Sequence, residues 1–310
     1  MRVAMNRALI AAVSAGAGAL VLAGGASAPA ETPTRLGGEP QSWAFAIGNG
    51  TLGGDAAAVG ARYAPFDVVV VDGEEAKPEE IAAIQAGDGT VLAYLSVGTI
   101  EKWRGWYRQL KPYRLRAWQD WKDEWFADIS KRELREQLVI LAQTEVLDKG
   151  FDGLFLDNTD MVEARRHKDQ RKGMAKLIEE LDGLVEESGG LLFTQNGHPG
   201  MVAGYPGRDV DPLIDHFDGW NREDVSWTYD FDRRENVRNR HRDREAALAE
   251  LEEIGAAGLE TTATDYVELG DGSSEAECEA VANAAAVGAL PYVANIGLTR
   301  KAVAANPPDC

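Results

Sequence analysis

Two carboxylates stand three residues apart in the stretch GFDGLFLDNTD, where an apolar run ends at Asp157 and Asp160 follows. Polar residues close other apolar runs in the same way. Asp72 follows VVVV, Ser96 follows LAYL, and Gln195 and Asn196 follow LLFT. Glu223 comes soon after FDGW, Asp265 and Tyr266 follow TTAT, and Asn295 follows YVA. The chain has only four His and two Cys, so neither a His-based triad nor a Cys/His metal site is prominent. Carboxylates without such partners suit cleavage of a glycosidic bond. One acid protonates the leaving oxygen, the other attacks the anomeric carbon or activates water, and neighbouring amides hold ring hydroxyls. Two other readings stand beside this one. Asp157, Asn158 and Asp160 could bind Ca²⁺ or Mg²⁺ in a metal-dependent hydrolase, or the residues could serve a non-catalytic carbohydrate-binding protein. Asp and Asn are common after any strand, so a single such position says little. Their recurrence at seven strand ends favours a site.

A site assembled this way needs strands that all end at one mouth. The candidate strands are 43–47, 67–71, 91–96, 153–157, 191–195, 216–220, 258–264 and 289–293. Several are continuous apolar runs, as expected of parallel strands covered on both faces. Helices fit between them. One runs from Ser130 to Lys149, opening on a Ser130–Glu133 capping box and stopping at Gly150. A second carries the stripe Met174, Leu177, Ile178, Leu181, Leu184 and Val185 and stops at Gly189. A third spans 244–254, and a fourth follows Ser274 with Glu277 completing a capping box. Alternating strands and helices predict a single α/β domain, a (β/α)₈ TIM barrel, with the site at the C-terminal ends of the strands. An open doubly wound sheet is the alternative, but no GxGxxG turn supports it.

The third connection, 97–127, is long for a βα loop. It holds Trp103, Trp106, Trp118, Trp121 and Trp125, five of the eight Trp in the chain, with Tyr107 and Tyr113. Aromatic faces there could stack on sugar rings, or form a satellite core beneath the loop. The same loop carries Lys102, Arg104, Arg108, Lys111, Arg114 and Arg116, either as a solvated face or as partners for the acidic mouth.

The N-terminus has the pattern of a secretory signal peptide. Arg2 and Arg7 precede an apolar, small-residue run from Ala8 to Leu22, and a small-x-small site places the cut before Glu31. An N-terminal membrane anchor is the alternative. The expected organisation is a leader over 1–30, a linker over 31–42 and the barrel over 43–310, giving a secreted, extracytoplasmic enzyme without stable membrane insertion after cleavage. The formal charge of −19 becomes −21 once the leader's two Arg are removed. Nucleic acid is a poor partner for such a chain, because phosphate binding needs a basic surface. A neutral or cationic substrate is easier to accommodate. No cofactor or metal is called for by any motif. Cys278 and Cys310 are either joined, as an exported protein permits, or free.

The segments VLAYLSVGTIEKWRGWY, GFDGLFLDNTD, LLFTQNG, DGWNREDV and TTATDYV resemble, in order and spacing, the endo-α-1,4-polygalactosaminidase-like proteins of glycoside hydrolase family 114 and its bacterial and archaeal relatives. The resemblance spans Trp43 to Leu298. It implies a (β/α)₈ barrel, export and endo-acting hydrolysis of a galactosamine-rich polysaccharide. The family's paired acidic residues match Asp157 and Glu223, with Asp157 expected as nucleophile or base and Glu223 as general acid, or the reverse. Expected substrate contacts are Asp72, Tyr94, Ser96, Glu101, Arg104, Asp160, Gln195, Asn196, Trp220, Asp265 and Tyr266. The chain departs from the family at WAFAIGNG, where relatives show a more polar strand end, and at Trp220-Asn221-Arg222 before the acid.

Overall fold

A computed structural model describes residues 40–270, 274–308 and 310. The expected leader and most of the expected linker lie outside the described residues. Eight strands form the frame: β1 (Trp43–Ala46), β2 (Val68–Asp72), β3 (Thr90–Ser96), β4 (Gly153–Asp157), β5 (Leu191–Gln195), β6 (Gly219–Glu223), β7 (Glu260–Tyr266) and β8 (Leu290–Ala294). All pair in parallel, in chain order from β1 to β8. The sheet curls until β8 lies beside β1. Trp43 and Tyr292 bring their ring centroids within 5.8 Å, and the Gly48 N–H donates to the Leu298 carbonyl at 3.0 Å. A Cβ on Gly48 would stand 1.7 Å from the Gly297 carbonyl oxygen, so this closure depends on glycine.

A helix follows each strand: α1 (Ala56–Tyr63), α2 (Pro78–Gln85), α3 (Arg132–Leu141), α4 (Arg171–Ser188), α5 (His198–Ala203), α6 (His241–Ala256), α7 (Glu275–Ala286) and α8 (Arg300–Ala304). Each longer helix lays an apolar stripe on the sheet. Met174, Leu177, Ile178, Leu181 and Val185 of α4 are buried, and Gly189 takes the left-handed cap at φ 70°. The VVVV, LFL and LLF runs are buried on both faces, as the parallel arrangement requires. Inside the barrel the floor is aromatic. Phe45 packs on Phe155 at 5.0 Å and Trp43 on Phe45 at 5.9 Å. The apolar character of β1 therefore belongs to the floor of the site. Among the described residues no helix is long and apolar enough to cross a membrane.

Some boundaries differ from the sequence expectation. β6 begins at Gly219, because His216 lies in a 3₁₀ turn and the Asp218 carboxylate accepts the Leu192 N–H at 2.9 Å. Glu223 is thus the last residue of β6, paired with Thr264, and not a loop residue beyond it. β7 extends to Tyr266, which places Asp265 and Tyr266 inside the strand. The Ser130 capping box does not form: its N–H goes to Gln170 at 2.8 Å and its hydroxyl to Asp128, so α3 starts at Arg132. The Ser274–Glu277 box does form. Cys278 and Cys310 are disulfide-bonded. At the same N-terminal end of the barrel, Asp152 repeats the role of Asp218, accepting the Val91 N–H at 2.8 Å. Part of the acidic composition therefore serves to cap strands.

Candidate active site

A cavity of about 400 Å³ opens at the C-terminal ends of the strands. Asp157, at the end of β4, takes four donors. The Tyr94 hydroxyl and Asn158 Nδ2 reach Oδ2 at 2.6 and 3.1 Å, while the Asn158 N–H and Gln195 Nε2 reach Oδ1 at 2.6 and 3.0 Å. The orientation of the Gln195 amide follows from its other partner. Asn221 Nδ2 donates to Gln195 Oε1 at 2.9 Å, and Asn221 Oδ1 is fixed by the hydroxyls of Thr262 and Thr264 at 3.0 and 3.2 Å. The NH₂ group of Gln195 must therefore face Asp157.

Glu223 receives fewer donors: Asn196 Nδ2 at 3.0 Å on Oε2 and the Tyr266 hydroxyl on Oε1. Burial, with Asp224 and Asp157 close by, pushes its carboxyl up to about 8 against these two hydrogen bonds. Burial also raises Asp157, but its own donors favour the anion. The two carboxyls thus share one cavity in unlike surroundings.

Three consecutive barrel strands end in the same backbone device. Asn158 after β4, Asn196 after β5 and Asp224 after β6 all adopt the left-handed conformation, at φ 61°, 57° and 56°. Asn and Asp are the side chains that tolerate it best. Each turn adds a second polar side chain to the strand end, beside the inward-facing Asp157, Gln195 or Glu223.

A second cluster forms the wall under the β3 loop. Arg104 donates to both oxygens of Asp72 at 2.7 Å and to Glu101 at 2.5 Å, with all three side chains buried. Burial lifts Glu101 to about 6 against the pull of Arg104. Glu124 accepts the Thr99 hydroxyl at 2.5 Å and is pushed up to about 8, mainly by burial. Asp160 faces the cavity with its carboxyl raised to about 7 by burial and by Asp157. All four oxygen contacts of Asp157 are protein donors, and among the described residues no His, Cys, Asp or Glu group is arranged to hold a metal ion. This donor set fits a cation poorly.

Of the expected contacts, Asp72, Tyr94, Glu101, Arg104, Asp160, Gln195, Asn196 and Tyr266 line the cavity with Asp157 and Glu223. Three do not. Ser96 is buried behind it, accepting Asn158 Nδ2 at 3.0 Å. Trp220 is fully buried and donates Nε1 to the Asn196 carbonyl at 2.5 Å. Asp265 points to the segment after β6, accepting the N–H groups of Ser226 and Trp227 at 2.6 and 2.7 Å. In β7 the alternation of side chains turns Asp265 away and Tyr266 inward. Asn295 likewise serves the turn before α8, accepting from Thr299 at 3.2 Å.

The long loop divides its aromatics between the cavity wall and a packed cluster of its own. Trp103, Trp118 and Trp121 line the cavity, and Trp103 is 54% exposed. Trp125 and Tyr107 instead pack with Arg114, whose guanidinium lies 4.3 Å from the Trp125 ring centroid. The loop is built on a small antiparallel sheet of Thr99–Glu101, Arg114–Ala117 and Glu124–Ala127. Sequence reasoning missed Glu124, Asp224 and the wall from the hairpin Trp227–Asp230 and Glu235–Arg238, which supplies Thr228, Tyr229 and Phe231. The acid pair Glu223-Asp224 was the available signal, since DN, QN and ED close three successive strands.

The frame is shared with solved glycoside hydrolases. The glycoside hydrolase domain of PelA from Pseudomonas aeruginosa is 23% identical, with 84% of this chain and 96% of that one covered and a TM-score of 0.65. Ega3 from Aspergillus fumigatus, solved with galactosamine, is 16% identical over 89% of this chain and 98% of its own, with a TM-score of 0.63. An α-galactosidase from Thermus thermophilus, 13% identical, covers 83% of this chain and 58% of its own with a TM-score of 0.53. At such identities the likeness is one of fold. A search of curated proteins gave no match. The sequence profile of glycoside-hydrolase family GH114 matches residues 24–231, more than half of the chain. With the barrel and its paired carboxyls in place, the chain belongs to glycoside-hydrolase family GH114.

Proposed function

We propose that this glycoside hydrolase is exported and cleaves a galactosamine-containing polysaccharide, with Glu223 as general acid and Asp157 as nucleophile or base. The observation that carries the assignment is the unequal support of the two carboxyls. Asp157 accepts four hydrogen bonds and is thereby favoured as the anion. Glu223 accepts two and is buried beside other acids, which keeps its proton on up to about 8. In the reaction Glu223 passes that proton to the glycosidic oxygen as the bond to the anomeric carbon breaks. Asp157 meets the developing positive charge on the sugar ring, attacking the carbon or taking a proton from water. Tyr94, Asn158 and Gln195 hold Asp157 in place for this step.

The sugar class rests on charge and on the family. Asp160 faces the cavity among other acids, a setting that favours an ammonium-bearing sugar over a uronate. Ega3, solved with galactosamine, has the same fold. Trp103, Trp118 and Trp121 offer ring faces for neighbouring sugars of a polymer. Export is supported by the leader pattern in residues 1–30.

The test is a reducing-end assay with the purified protein on partially deacetylated galactosaminogalactan, chitosan, polygalacturonate and α-glucans. Release from the galactosamine polymer, lost in Glu223→Gln and in Asp157→Asn, is expected. Full activity in either variant would remove the assignment. Cleavage of polygalacturonate in place of the amino-sugar polymer would remove the substrate class.

A further inference from the structure

The left-handed residue after β6 differs from its two counterparts. Asn158 and Asn196 are amides, and each donates to a carboxylate in the cavity. Asp224 places a carboxyl at the equivalent point, lining the same cavity as Glu223. Successive side chains of a regular strand point to opposite faces, so residues 223 and 224 would not ordinarily meet there. The turn at Asp224 breaks that alternation and is pinned on both sides. Its N–H donates to the Thr264 carbonyl at 2.9 Å, and the Ser226 and Trp227 N–H groups are held by Asp265. Asp224 Oδ1 is buried without a hydrogen-bond partner, and the polar support of the carboxyl is the Thr228 side chain. A dry, unpaired carboxylate oxygen is costly to the fold. An Asn at this position would suit the turn without that cost.

We infer that Asp224 is a positioning residue for the hydrolysis, its buried carboxyl keeping the proton on Glu223 until the leaving oxygen takes it. The inference rests on the reading of Glu223 as general acid. The groups around the pair come from three strands. Asp157 faces Glu223 from β4 and Tyr266 from β7, while Asp265, turned away from the cavity on β7, lies near Asp224. Arg222 on β6 is engaged by Glu250 at 2.9 Å, by Asn196 at 3.3 Å and by the Glu223 carbonyl. Tyr266 and Asn196 favour the Glu223 anion. Burial opposes them first, Asp224 second and Asp157 third. Burial raises the Asp224 carboxyl as well, while the Thr228 side chain and Arg222 favour its anion.

The experiment compares Asp224→Asn with the wild-type chain by the pH profile of kcat/KM on galactosamine polymer, and by ¹³C-carboxyl NMR titration of labelled glutamates. The Glu223 signal is assigned by its loss in Glu223→Gln. The alkaline limb and the Glu223 titration should both fall by about one pH unit, and Asp224→Glu should recover part of the shift. Should Asp224→Asn fail to fold, Asp224→Ser carries the same expectation. An unmoved Glu223 titration overturns the inference, even if turnover drops, because a merely structural role would lower activity without displacing the limb. Full activity in Glu223→Gln would instead overturn the reading of the acid, whichever way the titration moves.

Discussion

Trp121 and Phe231 meet edge to face with ring centroids 5.4 Å apart, although their segments leave the barrel from β3 and β6. β4 and β5 lie between those strands, and their ends carry Asp157, Asp160, Gln195 and Asn196. The contact therefore arches over the part of the mouth that holds the β4 carboxylate. Tyr229 extends it, packing on Phe231 at 5.2 Å. An aromatic pair of this kind is worth about 0.5–1.5 kcal/mol beyond its burial. Trp121→Ala should raise KM for a long polymer by roughly two- to tenfold and that for a disaccharide-sized substrate much less. Equal effects on both lengths, measured by initial rates, would show that the arch does not touch extended substrate.

The Cys278–Cys310 bond ties the C-terminal residue to α7, away from the residues that line the cavity. Cross-links of this span contribute about 4 kcal/mol through the unfolded chain. The Cys278→Ser/Cys310→Ser double variant should lose stability of that order in urea denaturation. Its KM should match the wild-type value. A changed KM would mean that the tail shapes the mouth.

Strand ends were legible because continuous apolar runs announce buried parallel strands, and the residue after the run is visible in the sequence. Asp157, Asp72 and Gln195 follow from that pattern alone. β6 was misplaced because FDGW looks apolar, while its neighbour Asn221 is polar and fully buried. Asn221 is buried because it orients Gln195, a relation between β5 and β6 that periodicity cannot carry. Trp220 and Asp265 resembled contacts by chemistry, but the alternation of the strands sends both away from the cavity. Asp224 was invisible for the converse reason: a left-handed turn brings it in where alternation would send it out.

Burial raises many carboxyls of the folded chain, among them Glu101 to about 6, Asp160 and Asp265 to about 7, and Glu124 and Glu223 to about 8. Unfolded, they would titrate near 4. The folded state therefore binds more protons between about 4 and 8, and stability falls as pH rises through that window. The melting temperature should be higher at pH 5 than at pH 8 by at least roughly 3 °C, the effect of about 1 kcal/mol in a chain of this size. Glu124→Gln keeps an acceptor for Thr99 without the charge, so it should flatten this slope and stabilise the protein at pH 8. A slope unchanged in the variant would show that Glu124 does not contribute to it.

Arg104 joins Asp72 and Glu101 in a buried triad, and it is the cation that both acids contact. Replacing it with Met keeps the length and the apolar stem but leaves two carboxylates in a dry wall. Removal of one partner from such a group costs about 3–5 kcal/mol, read as a lower urea midpoint at pH 8. The loss should shrink at pH 5. Arg104 favours the Glu101 anion, so without it Glu101 titrates above its present value of about 6 and is neutral at the lower pH. Adding Glu101→Gln to Arg104→Met should recover part of the stability at pH 8. An equal loss at both pH values would point to packing, since the guanidinium also lies 5.9 Å from the ring centroids of Tyr94 and Trp106.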